Sequence, residues 1–302
     1  MSLRAAQAGF GALVRAPHAH GKADATARRR ALRGVRGLRA RDAEALSALP
    51  AARIAVYHDL VLGGHQTMLR YAFGTTLSAL ELLKAKPPRA RRAESFAATV
   101  EAFLAAPGGP ATHSLRELAA SFAAFLRRRF AATFRARPLL KDLLAFETAE
   151  LAVELETDGP GRPANDEDLR RLAAGTLHAL LRTKLRRPSY ERRFAFRTDV
   201  VGALKALRAD PPRATPKDLA RPARAYVSLV RDPSRLTPLR HDLEADVYRD
   251  LGRFPAGEAF RAEALAAVRA RRGPRGEAED AAAARVAAEL FAWLRGGLLI
   301  LA

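Results

Sequence analysis

Apolar residues recur every three to four positions through most of the first half of the chain. Leu115, Leu118, Phe122, Phe125, Leu126, Phe130 and Phe134 form one wide stripe, which predicts a helix burying that face. Ser114 stands just ahead of it with Glu117 three residues on, the spacing of a capping box. Pro138 opens a second helix through Leu139, Leu143, Leu144, Phe146, Leu151 and Leu155. Ile54 to Leu83 gives a longer apolar period, with Gly63-Gly64 and Gly74 as predicted breaks. Leu3, Gln7, Phe10 and Leu13 predict an amphipathic helix at the start. Spacers at Lys86-Pro-Pro-Arg89 and Pro107-Gly-Gly-Pro110 separate these helices.

The pattern changes after residue 157. Asp158-Gly-Pro-Gly-Arg-Pro-Ala164 cannot continue a helix and predicts a domain boundary. A helix near 166–183 follows, then Arg192-Arg-Phe-Ala-Phe-Arg-Thr198, a short helix to Leu207, and a Pro-rich run at 210–216. From Ala223 two β-type runs, Ala225–Val230 and Leu236–Arg240, flank Arg231-Asp-Pro-Ser-Arg235, a turn-forming spacer that predicts a hairpin. Helical stretches at 243–253, 256–272 and 280–295 come next, then Gly296-Gly297 and an apolar closing strand. The fold class expected is mainly α: a helical domain over 1–157, a connecting segment over 158–222, and a small α+β winged-helix domain over 223–302.

That C-terminal order, carried by Arg231-Asp232, Leu243…Val247…Leu251-Gly252, Phe260…Leu265…Val268 and Arg285-Val286…Leu290…Trp293-Leu294…Leu298-Leu299-Ile300, resembles the PqqD-like recognition element. Such elements hold leader peptides during the biosynthesis of ribosomally made, modified peptides. Further upstream stand Arg53-Ile-Ala-Val-Tyr57, Phe73-Gly-Thr-Thr76, Phe96…Phe103-Leu104, Phe122…Phe125-Leu126 and Pro138-Leu-Leu-Lys-Asp-Leu-Leu-Ala-Phe-Glu147. With Phe194-Ala-Phe-Arg-Thr-Asp-Val200 as the joining segment, they resemble the helical domain of HvfC/BufC-type proteins, a family often labelled a putative DNA-binding domain. After Tyr57 the chain has His58-Asp59 where that family favours an Asn-rich continuation. The resemblance implies a partner protein of a multinuclear non-heme iron oxidative enzyme. It implies no cofactor in this chain, iron in the partner, and a heterodimer that modifies a peptide substrate.

Composition sharpens this only in part. The chain has no cysteine, which excludes disulfides, thiolate metal sites and a Cys nucleophile. No apolar run is long enough for a transmembrane helix, and a cytoplasmic location is expected. Residues 1–41 hold ten Lys/Arg and one acid, a balance that mimics a transit peptide, yet Leu3 to Val14 is read as a helix of the mature fold. The net charge is +20, but Leu243 to Ala302 carries nine Arg and nine Asp/Glu, so the excess lies upstream. Arg outnumbers Lys 45 to 7, a bias that codon usage can produce without a selected binding surface.

Candidate chemistry is sparse. His18 and His20 sit in a loop, and His58 and His65 are seven residues apart without a metal-binding motif around them, so core-edge or solvated roles are expected. Glu147, Glu150 and Glu154 share one helix face; without a Glu-x-x-His partner motif they read as a charge-paired face rather than an iron site. No nucleophile motif or phosphate-cradling loop is present. Two functions stay open for the winged helix. Glu277, Glu279 and Asp280 at the start of the last helix would repel phosphate, and its alanines cannot read bases, which argues against nucleic acid. An extended peptide could instead add to the edge of Leu236–Arg240 beside the Ala-rich face of 281–292, although Pro238 removes one donor there. The peptide-binding residues expected are Leu236, Thr237, Leu239, Arg240, Arg285, Ala288, Glu289 and Ala292. Val286, Leu290, Trp293 and Leu294 are assigned to the core. The chain reads as a non-catalytic partner that binds a leader peptide and presents it to an iron-dependent peptide-modifying oxidase, with a winged-helix DNA-binding protein as the alternative.

Overall fold

A computed structural model describes residues 3–15, 25–83, 96–106, 114–156, 164–209, 215, 222–232, 237–254, 260–263, 265–266 and 279–301. The protein is mostly helical with small sheets toward its C-terminus. It divides into two compact units, residues 1–136 and 137–302. The predicted spacers at 86–89, 107–110, 158–164 and most of 210–216 lie outside the described residues, as do His18 and His20.

The first unit is all helix: α1 (Leu3–Arg15), α2 (Ala25–Arg33), α3 (Ala40–Ser47), α4 (Ala51–Leu83), α5 (Phe96–Leu104), α6 (Leu115–Arg129) and α7 (Ala131–Ala136). Leu13, Leu32 and Ile54 meet at the centre of α1, α2 and α4, and Leu38, Ala43, Leu46 and Leu49 pack around them. Gly9 permits this closeness, because a Cβ there would lie 2.7 Å from the Leu46 side chain. The buried Arg28 guanidinium donates to the Ser47 and Leu49 carbonyls at 3.2 and 2.8 Å, satisfying the end of α3. A second core is aromatic. Phe73, Phe103, Phe122 and Phe125 contact one another with centroids 5.1 to 6.2 Å apart, so the predicted stripe of α6 is buried as its period requires.

Two local expectations fail here. Gly63-Gly64 do not break α4, which continues through them; the break expected at Gly74 falls one residue earlier, at Phe73, where two helical stretches join across a kink and the backbone leaves the helical region at φ −136°, ψ 23°. A glycine costs a helix only about 1 kcal/mol, which the buried Ile54, Leu69 and Leu77 on either side outweigh. Ser114 does stand at the N-cap of α6, but its side chain makes no capping hydrogen bond. The capping box is instead Asn165 with Asp168, at the start of α9 (Asp166–Ala174).

The second unit opens with α8 (Pro138–Leu155), so the boundary predicted at 157/158 is corrected to 136/137. The reason is packing: α8 lies against all three strands of a sheet that its own unit builds. After α9 come α10 (Leu177–Arg182), β1 (Lys184–Arg186), β2 (Arg192–Thr198), α11 (Val200–Leu207), β3 (Pro222–Arg231), β4 (Pro238–Leu243), α12 (Ala245–Leu251), β5 (Phe260–Arg261), α13 (Glu279–Arg295) and β6 (Ile300–Leu301). The predicted hairpin is β3–β4, closed where the Asp232 amide donates to the Thr237 carbonyl at 2.7 Å. Most of the predicted helix at 256–272 lies outside the described residues, and Phe260-Arg261 within it is strand, a correction imposed by antiparallel pairing with β1.

The strands form two antiparallel sheets, ordered β2–β3–β4 and β5–β1–β6. The segment 223–302 is therefore not self-contained. Its hairpin gains a third strand from 192–198, and its closing strand pairs with 184–186.

Candidate functional site

Side chains alternate across β3, and the cross-strand register extends that alternation to its neighbours. Val227, Leu229 and Arg231 share one face with Phe194, Phe196, Arg240 and Asp242. This is the α8 face: Arg231, buried and stacked over Tyr190 at 5.4 Å, donates to the Val153 and Glu154 carbonyls at the end of α8. Tyr226, Ser228 and Val230 share the opposite face with Arg193, Leu239, His241 and Leu243. Tyr226 there packs on Tyr248 of α12, with centroids 5.1 Å apart.

A buried charge cluster anchors that second face. Glu191, whose side chain has no exposure, accepts from Ser228 Oγ at 2.7 Å and from Arg187 at 2.7 Å, with Arg193 3.9 Å away. Arg187 also donates to the Phe254 carbonyl. Arg193 donates to the Tyr248 carbonyl at 3.0 Å and lies over that ring at 4.9 Å. Burial, then the neighbouring Arg187 charge, lowers the Arg193 pKa below the ordinary arginine value. The cluster ties the turn before β2 to β3, α12 and the segment after it.

β4 is one of the two edge strands of this sheet and β2 is the other, each paired on one side only among the described residues. β4 meets the residue that follows α13. His241 Nε2–H donates to the Gly296 carbonyl at 2.8 Å, which places the proton on Nε2 because a carbonyl can only accept. The helix ends there because Gly297 adopts φ +71°, with the Gly297 and Leu298 amides donating to the Leu294 and Trp293 carbonyls. A Cβ on Gly296 would sit 2.8 Å from the His241 ring, so glycine allows the contact. Burial lowers the His241 pKa below the ordinary 6.5, against the opposing pull of the Gly296 hydrogen bond and of Asp242 and Glu191.

The residues predicted to bind peptide fall on these two elements. Thr237 is exposed just before β4, and Leu239 and Arg240 are half-buried on it; Leu236 lies outside the described residues. Leu239 and Arg240 face opposite sides of the sheet, so they cannot line one groove together. Arg240 is on the α8 face, paired to Asp242 at 3.0 Å. On α13, Arg285, Ala288 and Ala292 are exposed and Glu289 is half-buried, forming an outward face with Ala281 and Ala284. Val286, Leu290, Trp293 and Leu294 are buried on the other side. Ala292 lies one turn before Gly296, whose carbonyl meets His241 of β4. His241 was missed as a junction residue; its signal was period-two alternation with Leu239 and Leu243.

No three His, Asp or Glu side chains stand together as a metal site among the described residues. His58 contacts the Val14 carbonyl through Nδ1 at 2.7 Å, and His65 contacts the Val61 carbonyl at the same distance. Glu150 receives both terminal nitrogens of Arg208, at 3.1 and 2.6 Å. Burial alone would lower the Arg208 pKa, but the Glu150 hydrogen bond and charge, with Glu147 behind, hold it above the ordinary value. The carboxylate face of α8 is therefore charge-paired at Glu150. No single helix among the described residues is long and apolar enough to cross a membrane. No model of a known protein family matches the chain, and no curated protein does.

Proposed function

We propose that the chain is a non-catalytic partner protein that captures an extended peptide and presents it to an iron-dependent oxidative enzyme. The observation that carries this reading is β4, an edge strand joined to the end of a helix whose outward face is largely alanine. A strand edge offers a guest peptide a row of main-chain donors and acceptors, and alanines allow its side chains to approach closely. In this reading β3, β4 and the helices after them act as a winged helix, completed by the added strand β2. The iron belongs to the partner, and this chain raises the effective concentration of the reacting residue at the partner's site.

The test is co-purification of the tagged chain with the products of its neighbouring genes, with iron quantified. A protein eluting in equal amount and carrying iron is the expected result. Recovery of the chain alone, binding duplex DNA with steep salt dependence, overturns it in favour of a winged-helix DNA-binding protein.

A further inference from the structure

Four of the five large apolar side chains that stand most exposed among the described residues belong to α4: Val56 at 58%, Tyr57 at 49%, Leu60 at 66% and Tyr71 at 63%. At 100° per residue they share one side of the helix with Gly63, Gly64 and Thr67, all exposed. The stripe from Val56 to Tyr71 is roughly 22 Å long at 1.5 Å per residue. Its middle is a notch, because a Cβ built on Gly63 or Gly64 meets nothing within 4 Å. The start of the stripe is braced in advance: Tyr57 packs edge-on against Phe10 of α1, with centroids 5.1 Å apart. A held aromatic beside a gap is what a helix ridge seats against, at little cost in side-chain ordering.

The charge of this unit selects the occupant. Residues 1–136 carry 22 Lys/Arg against 8 Asp/Glu. Arg53 stands exposed at the upper end of the stripe, and Arg29, Arg30, Arg33, Arg36, Arg39 and Arg41 are exposed on α2, on α3 and between them, all in the same unit. A second copy of this chain would bring the same charge against itself, whereas an acidic protein gains attraction and faster encounter. We infer that the outward face of α4 docks an amphipathic helix of an acidic partner protein, seated across the Gly63-Gly64 notch. This rests on the reading that the chain works in a complex, and it names the surface that holds the complex together.

Three versions of the full chain, co-expressed with the neighbouring genes, separate the two ideas. Val56→Glu with Leu60→Glu changes only exposed positions and is expected to lower the retained partner at least about tenfold. Gly63→Leu fills the notch while improving helix propensity, so it is expected to raise the melting temperature and still weaken retention. If the unaltered chain holds no partner, both readings fall. If it holds one and both variants retain it fully, the docking face is wrong and the capture reading survives. A partner-free dimer lost in the variants, or binding of the purified chain to anionic lipid vesicles, would also overturn the inference.

Discussion

Glu191 shows what a single buried charge does here. It has one hydroxyl and two guanidinium groups around it, so removing the carboxylate leaves the half-buried Arg187 and Arg193 under-compensated. Glu191→Ala is expected to cost roughly 3–5 kcal/mol, read as a lower urea midpoint with unchanged slope. His241 makes stability depend on pH. Its folded pKa lies below 6.5 because burial disfavours the imidazolium, so the unfolded chain takes up the proton first as pH falls. Its contribution is fully present above pH 6.5 and is lost as pH falls through the depressed folded value. The unfolding midpoint should drop between pH 7.5 and pH 5 by a component that vanishes in His241→Gln.

Among the elements, the long helices of the first unit and the β3–β4 hairpin were legible because their signals are local. The stripe of α6 and the turn residues at 231–235 need no distant partner to be recognised. β1 and β2 were not assigned as strands for the opposite reason. Three residues such as Lys184-Leu-Arg186 carry no period, and only pairing with β5 and β6 makes them strand. β2 did carry a trace: Phe194 and Phe196, two apart, stack at 5.0 Å on one face, while Arg193 and Arg197 alternate with them. The α4 surface was hidden for another reason, since a helix that is apolar on several sides reads as core throughout. At the candidate site, alternation alone would have separated Leu239 from Arg240. The α13 face gives the element-scale test. Ala288→Arg with Ala292→Arg places bulk at exposed positions of the outward α13 face, so helix content should hold while peptide retention falls at least about tenfold.

At the scale of the whole molecule the proposed function would divide the chemistry of recognition between the two units. The first concentrates positive charge and exposes an apolar helix face, whereas residues 137–302 are nearly balanced at 30 Lys/Arg to 24 Asp/Glu and expose a strand edge. Under that proposal, attraction that is long-ranged and salt-sensitive belongs to one unit, and short-ranged main-chain pairing to the other.

The order of the strands along the chain also sets a schedule for synthesis. β2, β3 and β4 follow one another closely, so the sheet with the open edge can assemble while the ribosome is still at work. Arg186 of β1 must wait for Ile300, about 114 residues later, which at 5–20 residues per second is on the order of ten seconds. During that interval the proposed peptide edge exists, but the Leu185 side of the unit has no cover. A ribosome that pauses late in the message would hold out a chain already able to pair with a passing strand and not yet sealed against the wrong one.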